Sequence, residues 1–320
     1  MSRGFFGERQ TTLAEEIVLT GQGVHSGKPV NLTLLPADAD TGIVFIVECH
    51  ERGSITLNAE HKHVVNTQLC TVLGTRDAAV VGTVEHLLAA IRGLGVDNIV
   101  IMLDGAEVPI MDGSSSPFVA AIDEVGLVEL SSQRRYIQVL KPIHIEEGAA
   151  WATLEPHAGF YLDVTIDFDT PTIGCQRFAR ELSPGVFRAE LSRARTFGFM
   201  ADVQRLWDAG LAHGASLDNT VALDGDRVLN PEGLRYSDEF VRHKALDAVG
   251  DLALSGAPLL ARFTSHRGGH RMNALALQAL FADPEAYAVV EAPRVREELQ
   301  LVARRGGGKP AGAVVNFAAE

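Results

Sequence analysis

The sequence predicts an α+β protein with two domains. In each half of the 320-residue chain, segments in which apolar and polar residues alternate come first, and helical segments follow. This order favours mainly antiparallel sheets with separate helices over a doubly wound parallel sheet. A polar segment at 131–135 precedes the second region of alternation, and we place the domain boundary there. The length is also typical of about two domains.

The first half begins with strands and continues with helices. Apolar and polar residues roughly alternate over 11–47, with turn residues between the runs, which predicts short antiparallel strands. A helix is predicted to begin at Thr83, as its N-cap, and to stop at Gly93. A strand and a second helix are predicted next, at 98–103 and 117–126.

The second half repeats this order. The predicted strands are 137–145, 150–155 and 161–168. The predicted helices are about 203–209, 238–254 and 272–280. The two domains would then span 11–131 and 136–300, with a flexible N-terminus at 1–10 and a glycine-rich flexible tail at 301–320.

Composition narrows the range of partners and compartments. The chain has 28 basic and 41 acidic side chains, and its net charge of −13 disfavours nucleic acid and anionic lipid as partners. Its three cysteines lie far apart and form no C-x-x-C pair, which fits a reducing cytosol. No apolar run reaches the roughly 18 residues that a membrane span requires. We therefore expect a cytoplasmic protein without a nucleic-acid partner or stable membrane insertion.

The helix predicted at 238–254 has the most informative spacing. His243 and Asp247 are four residues apart, so they would project from one helix face. An imidazole nitrogen and a carboxylate oxygen placed in this way can bind one metal ion. Asp251 lies on the same helix face one turn later, and Lys244 is adjacent to His243 in the sequence. For an isolated pair of this kind, a solvated polar helix face is the alternative.

Glu85 and His86 are adjacent at the start of a helix that is otherwise apolar. Burying such a pair is costly unless both members have partners, so a core-facing helix has little use for it. The alternative is local: Thr83 caps the helix and Glu85 interacts with the N-terminal end of the helix dipole.

A third segment, Ser265-His-Arg-Gly-Gly-His, places His270 after a glycine-rich turn that leads into the last predicted helix. Glycines allow the backbone to approach a ligand closely. A turn histidine without a role is the alternative.

Together the three segments supply the parts of a mononuclear zinc hydrolase. His86, His243 and Asp247 would bind one Zn²⁺ and leave a fourth position for water. Glu85 would be the general base for that water, and His270 the acid for a leaving group. Zinc lowers the pKa of water from 15.7 to about 7, so the metal would be the main catalyst. Iron(II) would suit the same ligands.

Five motifs carry a resemblance that runs from about Thr12 to the helix predicted at 272–280. They are Thr83-Val-Glu-His-Leu, Pro109-Ile-Met-Asp-Gly-Ser, Ser192-Arg-Ala-Arg-Thr-Phe-Gly-Phe, Asp238-Glu-Phe-Val-Arg-His-Lys-Ala-Leu-Asp-Ala-Val-Gly-Asp and Gly269-His270. The chain resembles the UDP-3-O-acyl-N-acetylglucosamine deacetylases, zinc amidases of lipid A biosynthesis in Gram-negative bacteria. The resemblance implies two similar domains, each a sheet with a pair of helices, with the helices packed between the two sheets and the active site where the domains meet.

The resemblance also implies roles for individual residues. It assigns the zinc ligands to His86, His243 and Asp247, the general base to Glu85, and the second catalytic histidine to His270, in agreement with the residue types and spacing above.

Further positions follow from the same resemblance. Asp251 would orient the second catalytic histidine, and Thr196 would stabilise the oxyanion. The substrate contacts that it implies are Phe197, Lys244, Arg267 and Cys70. Lys244 and Arg267 could instead be plain surface charges.

An inserted β-α segment at about 199–223 would form an apolar passage for an acyl chain. Its candidate lining residues are Met200, Val203 and Leu217, although such residues are more often ordinary core. His25 lies in a turn that matches the family without an assigned role. His61 and His63 alternate as in a strand, and we expect no metal there because no carboxylate or thiol completes a site.

These observations predict a monomeric zinc amidase that removes the acetyl group from UDP-3-O-acyl-N-acetylglucosamine and releases acetate. Two alternatives stay open: a zinc amidohydrolase for a different N-acyl sugar, and a non-catalytic nucleotide-sugar binding protein. A substrate panel distinguishes the first alternative, and the absence of stoichiometric metal would favour the second.

Overall fold

Strands dominate the first half of the chain, as alternation predicts. The structure is a computed structural model that describes residues 7–49, 53–75 and 78–292. The elements of this half are β1 (Arg9–Leu13), β2 (Ile17–Gln22), β3 (Pro29–Pro36), β4 (Ile43–Cys49), β5 (Gly53–Asn58), β6 (Val64–Asn66), β7 (Val72–Thr75), β8 (Ala78–Val81), α1 (Glu85–Leu94), β9 (Ile99–Leu103), α2 (Ser116–Val125) and β10 (Leu127–Gln133). In β3, Val30, Leu32 and Leu34 are buried between more exposed neighbours, so one face of the strand enters the core.

Helices and strands alternate more in the second half. Its elements are β11 (Arg135–Val139), β12 (Ile143–Glu147), β13 (Ala150–Pro156), β14 (Phe160–Asp167), β15 (Cys175–Glu181), α3 (Pro184–Val186), β16 (Phe197–Phe199), α4 (Val203–Asp208), β17 (Val221–Asp224), β18 (Arg227–Val228), α5 (Glu239–Leu252), β19 (Leu259–His266), α6 (His270–Ala282) and β20 (Tyr287–Glu291). A π-helical turn, Phe187–Leu191, continues α3.

Each half is built around one larger, mainly antiparallel sheet. The first has the strand order β2-β3-β9-β4-β5, in which only β4 and β9 are parallel neighbours. The second has the order β12-β13-β19-β11-β20, with β14 beside β19 and β15 beside β14. Smaller sheets join β6-β7-β8 in the first half and β16-β17-β18 in the second. The α+β class and the pair of similar domains are therefore confirmed.

The helices pack between the two large sheets. α1 of the first half lies along α5 of the second half, α2 packs on α1, and α6 packs on α5 and on strands β12 and β13. One connected apolar core includes residues of both halves. Within the described part of the chain, no helix has both the length and the hydropathy that crossing a membrane requires.

The contact between α1 and α5 depends on a glycine. Gly250 of α5 faces the backbone of Glu85 at the start of α1, and a Cβ atom at Gly250 would clash with the Glu85 carbonyl group. Gly93, farther along α1, permits a different contact, because a side chain there would clash with the ring of Phe187 in the π-helical turn. α1 and α5 can approach this closely only because Gly250 lacks a side chain.

Two predicted features of α1 are wrong. The helix begins at Glu85, and Thr83 is not its N-cap, because Thr83 has a positive φ and donates its hydroxyl to Glu107 Oε1. Gly93 lies inside the helix, and Gly95 ends it in the left-handed conformation. Gly93 is needed for packing against Phe187 and does not stop the helix.

The strand predicted at 137–145 is in fact two strands. β11 ends at Val139 and β12 begins at Ile143, and Pro142 between them has no N–H group for a sheet ladder. The break lets β11 pair with β19 and β20 while β12 pairs with β13.

Parts of the predicted N-terminal segment and of the polar junction form paired strands. Arg9 and Gln10 belong to β1, which pairs with β10 up to Gln133. The polar residues have partners: the amide nitrogen of buried Gln10, for example, donates to Asp40 Oδ1 and to the Gln133 carbonyl. The domain limits stay a prediction, and the tail predicted at 301–320 lies outside the described residues.

We predict that Gly250→Ala separates α1 from α5. The added methyl group must displace the backbone at Glu85, and overpacking of this kind costs about 1–3 kcal/mol of unfolding free energy. Urea unfolding measures the loss. Gly185→Ala is the matched control, because a Cβ there meets nothing closer than 3.9 Å. Equal stability of the two variants would contradict the proposed packing role of Gly250.

Candidate active site

Residues from both halves converge where α1 meets α5. The first turn of α1 supplies Glu85 and His86, and α5 supplies His243, Asp247 and Asp251. The first residue of α6, His270, reaches the same place. All six side chains are buried. The structure thus brings together the residues that the sequence singled out as ligands, base and acid.

One group of three has the geometry of a metal site. Asp247 Oδ1 lies 3.5 Å from His86 Nε2 and 3.4 Å from His243 Nε2. Ligand atoms held about 2 Å from a tetrahedral zinc ion would lie about 3.3 Å apart, close to these separations. Asp247 Oδ1 is buried and has no hydrogen-bond partner among the described residues.

The chemistry of the donor set indicates a cation. His243 Nδ1 lies 3.1 Å from the Ala194 carbonyl oxygen, which can only accept, so Nδ1 carries the proton and Nε2 presents a lone pair to Asp247 Oδ1. Burial lowers the pKa of His243 to about 3, although the negative charge of Asp247 acts in the other direction. The ring therefore stays neutral near pH 7. An imidazole lone pair and a carboxylate oxygen repel each other in a buried site unless a cation lies between them. The three residues therefore fit a divalent metal ion.

The other oxygen of Asp247 is held by Lys244. Lys244 Nζ donates to Asp247 Oδ2 at 2.8 Å. Burial would raise the pKa of Asp247, but nearby positive charge, including that of Lys244, outweighs burial and holds that pKa well below its usual range. Asp247 is therefore ionised, as a metal ligand must be.

Glu85, Asp251 and His270 form a second group beside the first. His270 Nδ1 donates to Asp251 Oδ2 at 2.9 Å, and His270 Nε2 lies 3.9 Å from Glu85 Oε1. Burial opposes protonation of His270, but the charges of Asp251 and Glu85 and the hydrogen bond to Asp251 raise its pKa to about 9. Burial also raises the pKa of Glu85. A charged imidazole therefore faces a carboxylate whose proton affinity is increased, an arrangement suited to acid–base catalysis.

Sequence reasoning missed two residues that hold this second group. Thr71, buried just before β7, donates its backbone N–H to Glu85 Oε2 at 3.1 Å and its hydroxyl to Asp251 Oδ1 at 2.6 Å. Asn273 of α6 donates to Asp251 Oδ2 at 2.8 Å. Asn273 lies one helical turn after His270, a spacing that could have identified it, whereas only the tertiary structure connects Thr71 with Asp251.

A buried ion pair fixes the segment that contains Ala194 and Thr196. The carboxylate of Glu239, at the start of α5, accepts from the backbone N–H and Nε of Arg195, both at 3.0 Å, and from Arg195 Nη2 at 3.2 Å. The backbone N–H of Arg235 also donates to it. Arg195 and Glu239 are almost completely buried. This pair ties the segment around Thr196 to the helix that carries His243, and sequence reasoning did not identify it.

The predicted substrate contacts lie at different distances from the cluster. The ring centres of Phe197 and His243 lie 6.3 Å apart. Lys244 Nζ lies 5.7 Å from the centre of the Phe197 ring. Cys70 is buried next to Thr71, and burial together with Glu85 raises the pKa of its thiol to about 12, which argues against a nucleophilic role. Arg267 is exposed in the turn that precedes α6. Their contacts with substrate stay predictions.

The segment predicted as an insert folds as β16, a 3₁₀ turn, α4 and β17. Met200 and Leu217 are exposed, and Val203 is half-buried. The segment is fixed to the first half of the chain, because the backbone N–H groups of His213 and Gly214 donate to the carbonyls of His25 and Val24. An acyl passage through it stays a prediction.

Two histidine predictions can be placed as well. His61 and His63 lie in a 3₁₀ turn, so the strand-like alternation predicted for them is wrong. His61 stacks on Phe281, with ring centres 4.4 Å apart. His25 has a buried Nδ1 without a hydrogen-bond partner among the described residues, and its backbone N–H donates to Glu107 Oε1.

We predict that Arg195→Met lowers the free energy of unfolding by about 3–5 kcal/mol, because it leaves the Glu239 carboxylate buried without its main partner. Urea unfolding measures the loss, and the double variant Arg195→Met with Glu239→Gln should recover part of it, because glutamine removes the buried charge and keeps an oxygen acceptor for the backbone N–H groups of Arg195 and Arg235. Arg188→Met is the control: its pair with Asp123 is more exposed, so it should cost about 1 kcal/mol or less. If Arg195→Met is no more costly than the control, the pair does not stabilise the fold.

The chain is similar to known proteins over most of its length. A family model described as "LpxC: UDP-3-O-acyl N-acetylglycosamine deacetylase" matches residues 10–282. Proteins named UDP-3-O-acyl-N-acetylglucosamine deacetylase from Brucella ovis, Brucella abortus and Brucella melitensis are each 50% identical over 284 residues, which is 88% of this chain and 99% of theirs. The chain therefore belongs to the LpxC family of UDP-3-O-acyl N-acetylglycosamine deacetylases.

Proposed function

We propose that the chain is a cytoplasmic, monomeric zinc amidase of lipid A biosynthesis. It hydrolyses the acetamide of UDP-3-O-acyl-N-acetylglucosamine and releases acetate and UDP-3-O-acylglucosamine. The substrate class follows from the family and from the names of the relatives. The observation that carries the zinc assignment is the position of Asp247 Oδ1, buried and without a hydrogen bond beside the Nε2 atoms of His86 and His243.

His86, His243 and Asp247 would hold the metal. A zinc ion bound there supplies Lewis acidity, which makes water a stronger acid and polarises a carbonyl group. The Ala194 carbonyl fixes the tautomer and the ring orientation of His243, and Lys244 fixes Asp247 through its outer oxygen. Such outer contacts orient metal ligands and increase affinity for the metal.

The proton transfers belong to Glu85 and His270. Glu85 accepts the proton of the water that attacks the acetamide carbon, and its burial increases its affinity for that proton. His270 holds a proton at neutral pH and gives it to the departing amine, while Asp251 keeps its ring in place through Nδ1. The hydroxyl of Thr196 donates to the oxyanion of the tetrahedral intermediate.

The remaining predicted residues bind the substrate outside the reacting centre. Lys244 and Arg267 are cationic groups suited to the diphosphate and sugar, and Phe197 and Cys70 contact the substrate beside the site. The insert contributes Met200, Val203 and Leu217 to the passage for the acyl chain. The exposure of Met200 and Leu217 supports this role, because neither is used in the described apolar core.

We predict that Glu85→Gln and His270→Ala separate catalysis from metal binding. Each variant should lose at least about 10²-fold in acetate release, because it removes a general acid–base group. Both should keep one zinc per chain, measured by elemental analysis, whereas His243→Ala should lose the metal. Glu146→Gln, which changes an exposed carboxylate, is the control for a loss of negative charge alone.

Loss of zinc in both Glu85→Gln and His270→Ala would contradict the roles assigned to those residues. Purified protein that binds a UDP-sugar without stoichiometric metal would instead identify a non-catalytic binding protein. Turnover that depends neither on UDP nor on the ester-linked acyl chain would indicate an amidohydrolase for a different N-acyl sugar.

We predict that Thr71→Val lowers turnover at least about tenfold, and that Thr71→Ser restores most of it. Valine keeps the backbone N–H that donates to Glu85 but removes the hydroxyl that donates to Asp251. A hydrogen bond to a charged group contributes about 1.5–3 kcal/mol. The kcat of acetate release is the measurement, with zinc content as the control for an intact metal site. Equal kcat for Thr71→Val and the unchanged protein would show that the hydroxyl does not position Asp251.

A further inference from the structure

A second unpartnered group lies on α1, away from the active site. Arg92 follows His86 by six residues, which places it about 9 Å farther along the helix axis. Its Nε and Nη1 atoms are buried, and neither has a hydrogen-bond partner among the described residues. An unpaired cation is costly to bury, so a ligand that completes its hydrogen bonds would be stabilised there.

The neighbouring charges do not satisfy Arg92. Asp97 Oδ2 accepts from Arg134 Nε at 2.8 Å and from the backbone N–H of Thr11 at 2.8 Å. Arg134 also donates to the carbonyl of Gly95 at the end of α1. Burial lowers the pKa of Arg92 to about 10, partly offset by Asp97, and the group remains a cation at neutral pH.

Arg92 borders a cavity of about 40 Å³ between α1, the end of α5 and the second large sheet. The other walls are mainly apolar: Phe160, Leu182, Val249, Leu252, Ala257, Pro258 and Leu259. The hydroxyl of Ser255 also lines the cavity, but it lies within hydrogen-bond distance of the carbonyls of Leu252 and Ala257. Arg92 is therefore the cation of a small apolar recess whose lining contains no carboxylate.

We propose that this recess binds a small carboxylate anion of about the size of acetate. The planar N–H donors of the Arg92 guanidinium bind the carboxylate, and the apolar walls contact the hydrocarbon part of the ligand. A phosphate is disfavoured, because its additional oxygens would face walls that provide no other free donor. The volume exceeds the roughly 10–15 Å³ that one water molecule needs and is far too small for a nucleotide.

A ligand in this recess would contact both helices of the active site. Arg92 belongs to α1, which carries Glu85 and His86, and Val249 and Leu252 belong to α5, which carries the other ligands. Binding would therefore stabilise the packing of α1 against α5.

Thermal unfolding in sodium acetate, compared with sodium chloride at equal ionic strength, tests this proposal. The unchanged protein should gain several degrees in Tm as acetate rises, and Arg92→Gln should gain none. Without acetate, Arg92→Gln should unfold at the same Tm or higher, because it removes a buried charge without a partner. Arg188→Gln is the control and should respond to acetate as the unchanged protein does, since Arg188 already pairs with Asp123.

Isothermal titration with acetate gives a second measurement, using Arg92→Lys, which keeps the charge but lacks the planar fork of donors. This variant should bind acetate at least tenfold more weakly than the unchanged protein. Zinc-site variants such as His243→Ala should keep the Arg92-dependent binding, which separates this recess from the active site. An equal response to acetate in the Arg92 variants and the unchanged protein, in either experiment, would overturn the proposal.

Discussion

The close approach of α1 and α5 is the contact on which the candidate active site depends. Each half of the chain contributes one of these helices, and neither half contains a complete set of ligands and acid–base groups. Gly250 permits the contact, because any side chain there would clash with the carbonyl of Glu85. Packing of the two halves therefore controls the distances between His86 and the α5 side chains. Stability and site geometry are linked through this one helix pair.

The site also concentrates charge among buried side chains. Three carboxylates, Glu85, Asp247 and Asp251, are buried there. Asp251 accepts hydrogen bonds from three side chains, and one oxygen of Asp247 accepts from Lys244. Among the described residues, only Asp247 Oδ1 of these carboxylate oxygens is buried and left without a hydrogen bond. Buried polar groups in proteins are rarely left without a partner, so this oxygen beside two imidazoles is the strongest single indication of a metal site.

Sequence patterns predicted the parts of the fold and site that depend on local geometry. The spacing of His243 and Asp247 places both on one face of α5, and alternation located the strands β1–β4, β9 and β11–β14 but not the remaining ones, among them the central strand β19. The errors arose where a residue's role depends on distant contacts. Gly93 is a packing position rather than a helix stop because Phe187 lies against it. The contacts of Thr71, Arg195 and Glu239 could not be predicted, because their partners are far away in the sequence and nothing in their spacing connects them. The arrangement of helices between sheets came from the family resemblance rather than from periodicity.

The most direct test of a metal held jointly by the two halves is X-ray absorption spectroscopy at the zinc edge on the purified protein. We expect one zinc ion per chain with two imidazole nitrogens and only nitrogen or oxygen ligands, at about 2.0–2.2 Å. The number of imidazole ligands should fall from two to one in a His86→Ala protein reloaded with zinc, and should not change in a His61→Ala protein. A protein without bound metal, or a coordination shell that is the same with and without His86, would contradict the central claim.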